Sequence, residues 1–343
     1  MSFVFDIVER DLLPDSVLRF GVRRLVKQRF DRSSAGGEAA QKKNVEALVE
    51  ELRQSPIAIA TDAANEQHYE VPAAFYQRVL GKHLKYSSGY WPEGVDTLDA
   101  SEKAMLDLYF ERGELEDGQS ILELGCGWGS MTLQMAERLP SSQIVGVSNS
   151  ASQRAFILEQ ARQRGLDNLE IITADMNDFS IDRRFDRVVS IEMFEHMRNY
   201  QELLSRVSTW LEPDGKLFVH IFCHRSFAYP FVATGTWDWM ARHFFTGGLM
   251  PSYDLLLHFD DHLACQDRWW VDGTHYQKTS EAWLTEMDQH REPIQKLFRE
   301  VYGDDQVRRW WVYWRIFFMS CAELFGFRGG DEWGVAHYRF VKR

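Results

Sequence analysis

Between residues 119 and 223, short apolar runs alternate with longer segments in which apolar positions recur every three or four residues. The short runs suit buried strands and the longer spacing suits helices packed by one face. The pattern predicts strands over 120–124, 143–147, 169–173, 185–191 and 215–222, and helices over 129–138, 151–164 and 198–211. Such alternation with short connections predicts an α/β fold built on a parallel, doubly wound sheet, with a ligand across the carboxyl ends of its strands.

The flanks read differently. Apolar positions at helical spacing run through Val17, Leu18, Phe20, Val22, Leu25, Val26 and Phe30, with basic residues between them, and predict N-terminal helices interrupted at Ser33–Gly37. A basic amphipathic helix can lie on an anionic membrane, but packing on its own domain is the commoner fate, so membrane contact is not expected. Residues 68–91 mix aromatic and small polar residues with no clean period, which suits either a loop folded over a ligand or a packed connector; Thr97–Arg112 then reads as an amphipathic helix. After His224 the chain becomes rich in aromatic residues. A strand over Gln266–Val271, helices over Ser280–Val301 and Asp305–Leu324, and a closing strand over Trp333–Val341 are expected there.

The densest local signal is Ile121-Leu122-Glu123-Leu124-Gly125-Cys126-Gly127-Trp128-Gly129, a buried strand running into three glycines on alternate positions and then a helix start. Glycines allow positive φ and let a ligand lie against bare backbone, while the free N–H groups of the new helix face it. The spacing is Gly-x-Gly-x-Gly and not the Gly-x-Gly-x-x-Gly of a dinucleotide pyrophosphate turn. S-adenosyl-L-methionine, which has an amino-acid end and no phosphate, fits better. Glu123, at the strand end, is placed to take an amine or a sugar hydroxyl. After the second strand stand Ser148 and Asn149, with Gln153 a turn later, so neutral groups must hydrogen-bond the ribose there. Asp175 and Met176 follow the third strand, where an acid can accept from an adenine amino group and a thioether can pack on the ring.

The fourth strand ends in Ser190-Ile191-Glu192-Met193-Phe194-Glu195-His196-Met197. Two carboxylates and an imidazole within five residues, just past a buried strand, suit acid-base chemistry, because burial and mutual charge shift proton affinities.

Composition narrows the partners. A net charge of −12 argues against nucleic acid and is compatible with a cationic substrate. Hydrophobic content of 45% supports a large core and excludes a disordered chain. Four widely spaced cysteines show no metal-binding or disulfide pattern, and no run of 18 apolar residues or signal-peptide pattern is present, so no metal and a cytoplasmic location are expected.

Taken together, Glu123–Gly129, Glu192–Met197, Phe218–His224, Phe244–Pro251 and Ala322–Gly326 resemble coclaurine N-methyltransferase and its relatives, in the cyclopropane-fatty-acid-synthase branch of the class I methyltransferases. The resemblance runs from about residue 65 to the end. After the N-terminal helical segment, taken as 1–65, it implies a methyltransferase domain over 66–343, with a Rossmann-like core at 115–223 and an aromatic-rich cap and closing strands at 224–343. It implies that Tyr86, Ser87, Gly125, Gly127, Ser148, Asn149, Gln153, Asp175, Met176 and Ile191 hold S-adenosyl-L-methionine, with Glu123 beside them, and that Glu192, Glu195 and His196 form the catalytic cluster. Tyr69, His220 and Phe222 are expected in the substrate pocket, the substrate is a small amine, and a homodimer is an allowed assembly. The cyclopropane synthases share the scaffold, Glu195 and His220, and a lipid-modifying activity is the competing expectation. Those enzymes surround a bicarbonate with a cysteine and a tyrosine; Ser88 and Ile316-Phe317 stand in the corresponding places here.

Overall fold

The computed structural model describes residues 7–59, 71–232 and 239–343. Tyr69 and Trp237 lie outside the described residues. After helical residues at 7–9 come α1 (Asp15–Ser34) and α2 (Gly37–Arg53), separated where Gly36 takes φ 84°, so the expected interruption is present. The short α3 (Ala73–Val79) follows. An irregular segment then leads to α4 (Leu98–Gly113), which begins where Thr97 Oγ1 accepts from the Ala100 N–H.

The α/β core comprises β1 (Ser120–Leu124), α5 (Ser130–Arg138), β2 (Gln143–Ser148), α6 (Ala151–Arg164), β3 (Leu169–Thr173), β4 (Phe185–Ile191), α7 (Tyr200–Trp210) and β5 (Leu211–His224). Boundaries follow local chemistry. The α6 helix starts where Ser150 Oγ caps the Gln153 N–H and stops at Gly165 in the left-handed region.

Beyond β5 come the two-residue strand β6 (Tyr229–Pro230), α8 (Trp239–His243), β7 (Leu249–Met250), β8 (Leu263–Val271), α9 (Gly273–Gln289), α10 (Arg291–Tyr302), α11 (Val307–Phe325) and β9 (Trp333–Lys342). The single helix expected over Ser280–Val301 is two helices meeting at His290, and the first begins earlier, at Gly273. Pro293 explains the break: proline lacks an N–H and clashes with the carbonyl four residues back, so it is tolerated in the first turn of α10 but not inside one continuous helix. The strand expected from Gln266 starts at Leu263.

The sheet order is β3-β2-β1-β4-β5-β9-β8. Strands β1 to β5 pair in parallel, as the alternation predicts, whereas β9 runs antiparallel between β5 and β8. The order reverses between β1 and β4, which opens a crevice at their carboxyl ends.

Helices cover both faces. On one, Trp283, Trp311, Trp314, Phe317 and Phe318 of the late helices join Phe75, Tyr76 and Tyr109 in an aromatic core. On the other, α7 packs on β5 and α2 packs on α7. The N-terminal helix is tied to this late region by Arg315, which reaches both Asp15 and Asp288, and by Arg19, which reaches Glu281 and Glu323.

Candidate functional site

The glycine turn after β1 is built as its sequence demands. Gly125, Gly127 and Gly129 have φ of 81°, 51° and 82°. A Cβ at Gly125 would come within 2.7 Å of the Met193 side chain, whereas one at Gly127 would meet nothing within 4 Å and would instead fill the adjoining cavity. Gly129 caps α5 without a side chain, so the first N–H groups of that helix have no side-chain partner. Beneath the turn, Glu123 is buried and accepts a 2.5 Å hydrogen bond from Thr132 Oγ1. Burial pushes its carboxyl up to about 7, against the pull of that bond.

Two cavities meet at this turn. The first is lined by Tyr86, Ser87, Glu123, Gly125, Gly127, Gln153, Ile191, Glu192, Glu195 and His196, together with Lys85, Tyr109, Tyr276, Trp283, Phe245 and Phe317. The second is lined by Ser148, Asn149, Asp175 and Met176, and shares Gly125, Gly127, Gln153 and His196 with the first. The structure thus gathers residues from the carboxyl ends of β1, β2, β3 and β4 around two adjoining cavities that share a wall. Ser148 Oγ donates to Gln153 Oε1 at 2.7 Å and leaves Gln153 Nε2 buried without a hydrogen-bond partner; Ser130 Oγ at the start of α5 is in the same state. Buried donors left open on a cavity wall are what a polar ligand would satisfy.

The acidic cluster sits at the end of β4. Glu192 holds φ 46°, a conformation uncommon for a side chain of its size. Its carboxylate accepts the Ser88 N–H and His220 Nε2 on Oε1, both at 3.1 Å, and the Tyr276 hydroxyl on Oε2 at 2.7 Å. Burial pushes it up to about 6, and the neighbouring Lys85 opposes that shift.

Glu195 and His196 follow on a single 3₁₀ turn, Phe194–His196, held from below by the Tyr200 hydroxyl on the Phe194 carbonyl. Glu195 is 1% exposed, and its Oε2 has no hydrogen-bond partner. Burial, then the charge of Glu192, raises its carboxyl well above the ordinary range. The His196 ring stacks parallel on Phe245, with centroids 5.6 Å apart, and faces both cavities.

His220 and Phe222, expected in the pocket, stand one layer behind its wall. His220 is fully buried and bonds to Glu192; Phe222 packs edge-on against Phe245.

Lys85 escaped the sequence reading. It is 1% exposed, donates to Ser87 Oγ and to the Ser88 carbonyl, and lies over the Tyr109 ring. Burial pushes it down to about 7, with Glu192 and Glu102 opposing. A lysine in a mixed polar and aromatic stretch gives no sign of burial, because its partners come from elsewhere in the chain. Tyr276 and Trp283, from the aromatic-rich stretch after His224, also line the cavity. Residues 85–87 do form part of the cavity wall, which favours the loop reading over the packed connector.

Chemically, the cavity offers bare backbone and open donors at one end, a partly neutralised acid pair with an imidazole in the middle, and ring faces around them. Ring faces attract cations by about 0.5–2 kcal/mol each. Among the described residues no group of histidine, cysteine and acidic side chains could hold a metal ion, and no helix is long and apolar enough to cross a membrane.

Comparison with known proteins agrees with this chemistry. The family model of mycolic acid cyclopropane synthetase matches residues 58–331. The chain is 36% identical over 343 residues to (S)-coclaurine N-methyltransferase of Thalictrum flavum subsp. glaucum, covering 98% of this chain and 94% of that protein. It is 28% identical over 279 residues to cyclopropane-fatty-acyl-phospholipid synthase of Escherichia coli strain K12, covering 81% of this chain and 68% of that one. Among solved structures, coclaurine N-methyltransferase bound to N-methylheliamine and S-adenosylhomocysteine superposes with a TM-score of 0.96 at 34% identity, over 99% of both chains.

Proposed function

From the premise that the chain belongs to the mycolic acid cyclopropane synthetase family and is an S-adenosylmethionine-dependent N-methyltransferase, we propose how its own residues bring a small, alkaloid-like aromatic amine to reaction. The observation that carries the proposal is that Glu192, Glu195 and His196 line the same cavity as Gly125 and Gly127.

When bound, S-adenosylmethionine supplies a sulfonium methyl for in-line transfer to a nitrogen lone pair. Its fit to this chain rests on the bare backbone at Gly127 and the open donors of Gln153 and Ser130. Gly125, Gly127, Glu123, Tyr86, Ser87 and Ile191 would hold its amino-acid and sugar portions. Ser148, Asn149, Gln153, Asp175 and Met176 would hold the ribose and base.

The chain's remaining task is to present a lone pair. An alkylamine arrives protonated near neutral pH, and the acids and rings of the cavity attract that cation. Glu192 keeps its charge through three hydrogen-bond donors and the nearby Lys85 ammonium. His196, held flat by Phe245, takes the ammonium proton directly or through a water, the Glu192 carboxylate draws the cation toward the imidazole, and Glu195, kept neutral by burial, offers its open oxygen as a hydrogen-bond acceptor in the same wall. Closure by the aromatic wall keeps water from competing and aligns the nitrogen.

Lipid modification is the weaker reading. Ser88 spends its hydroxyl on the Gly89 carbonyl and its N–H on Glu192, and Phe317 puts an apolar ring into the cavity wall. A panel of primary, secondary and tertiary amines, incubated with methyl-labelled cofactor and read by mass, tests the assignment. Label on the nitrogen of an aromatic amine is expected. Label in an unsaturated phospholipid, with none in any amine, would replace this reading with the lipid one.

A further inference from the structure

Behind Glu192, on the side away from the cavity, a line of buried polar groups crosses the sheet. His220 on β5 and His337 on β9 are direct partners in the antiparallel register, and neither side chain is exposed. His220 Nε2 lies 3.1 Å from Glu192 Oε1, His220 Nδ1 lies 2.9 Å from His337 Nε2, and His337 Nδ1 lies 2.7 Å from Nη1 of Arg112, at the end of α4.

The direction of these bonds follows from the far end. A guanidinium has donors only, so His337 Nδ1 must accept and its proton must sit on Nε2. That proton is given to His220 Nδ1, which is also approached by the Tyr109 hydroxyl at 2.8 Å. His220 therefore carries its own proton on Nε2, aimed at Glu192. A neutral imidazole alone could take either tautomer; this one cannot without setting donor against donor inside the protein. Burial also holds both imidazoles well below their ordinary range, which keeps them neutral.

We propose that His337 and Arg112 are positioning residues of the methyltransferase: they lock His220 in the Nε2–H tautomer, so that its proton always supports Glu192 as the anion of the site. The functional side of this rests on the role given to Glu192 above. The tautomer itself does not. Glu192 is also faced by Lys85 from the segment before β1, Tyr109 from α4, Glu195 from the 3₁₀ turn, Tyr276 from α9 and Cys321 from α11. None of these bonds to His220 except Tyr109, whose rotatable hydroxyl can donate or accept and so imposes no direction.

The test pairs a direct readout with a kinetic one. Nitrogen-15 spectra of histidine-labelled protein, with His220 assigned by its loss in His220→Gln, report which ring nitrogen is protonated. The wild type should show Nε2–H alone. His337→Gln keeps a side-chain donor near the same place and should preserve that spectrum, whereas His337→Leu and Arg112→Met should give mixed tautomers once the pH falls to about 6, where Glu192 takes up a proton and no longer holds Nε2–H by itself. In the kinetics, losing the donor to Glu192 should raise the acid limb of kcat/KM by about one pH unit in His337→Leu and Arg112→Met, and leave it in place in His337→Gln.

Arg112 lies at the end of its helix and is half-buried, so Arg112→Met keeps the test alive if His337→Leu does not fold. A single Nε2–H tautomer at the lower pH in both His337→Leu and Arg112→Met would overturn the proposal, as would a shift in His337→Gln as large as that in His337→Leu. An acid limb that survives in Glu192→Gln would instead overturn the role of Glu192, while the tautomer spectra would still decide the lock.

Discussion

His196 stacks on Phe245 and opens to two cavities, and truncation isolates its contribution. Replacing it with alanine removes the proton acceptor and leaves the glycine turn alone. Turnover should fall roughly 10²–10⁴-fold, while calorimetric binding of S-adenosylhomocysteine stays near wild type. Unchanged turnover from pH 6 to 9 would remove the residue from the reaction. Glu123 offers a complementary test through stability. Its carboxyl is raised to about 7 in the folded protein from an ordinary value near 4.5. A raised carboxyl stabilises the fold fully below the ordinary value, and that contribution is lost as pH rises through the folded one. Glu123→Gln cannot titrate, so the ligand-free variant should be more stable than wild type at pH 8, on the order of 1–3 kcal/mol, and should lose that advantage near pH 5. The same variant should bind S-adenosylhomocysteine more weakly, by roughly tenfold or more. Thermal melts at the two pH values and a titration check both halves.

At the scale of elements, β4 and the 3₁₀ turn that follows carry the reactive side chains, but α11 decides the shape they face. Trp314 on that helix is fully buried and packs against Phe75, Tyr76, Phe244, Phe317 and Phe318. Phe317 lines the cavity, and Phe244 adjoins Phe245, which does so as well. Trp314→Ala should therefore cost about 3–5 kcal/mol of stability, read by urea unfolding, and should raise the KM for the amine more than that for the cofactor. A loss below about 1 kcal/mol would mean that the cap collapses around the gap without strain.

Across the whole molecule, the site joins the ends of four parallel strands to the irregular segment at 85–91 and to helices from the last third of the chain. A ligand that touches all of these must hold them together. At a hundredfold excess over its Kd, S-adenosylhomocysteine should add about 2.7 kcal/mol to unfolding free energy and slow hydrogen exchange at 85–88, 124–131 and 191–196 together. Protection confined to the glycine turn would mean that the cap does not close on the cofactor.

Much of this architecture is legible along the chain. The strand and helix alternation over 119–223, the glycine turn, and the grouping of Glu192, Glu195 and His196 depend on residues close in sequence, whose periodicity and turn chemistry can be read directly. The break at His290 was also legible, in Pro293, but the apolar period running through it masked the signal. What the tertiary structure alone decided is which distant groups meet. Tyr276 reaches Glu192 across 84 residues and His337 reaches His220 across 117, with no local pattern to announce either contact. The burial of Lys85 belongs to the same class, since the acids that offset its desolvation, Glu192 and Glu102, come from other elements. Spacing along a chain determines which face of a helix or strand a residue takes. The antiparallel insertion of β9 beside β5, and the folding of α9 and α11 over the strand ends, determine what that face meets, because those contacts arise only when segments far apart in sequence bury their surfaces together.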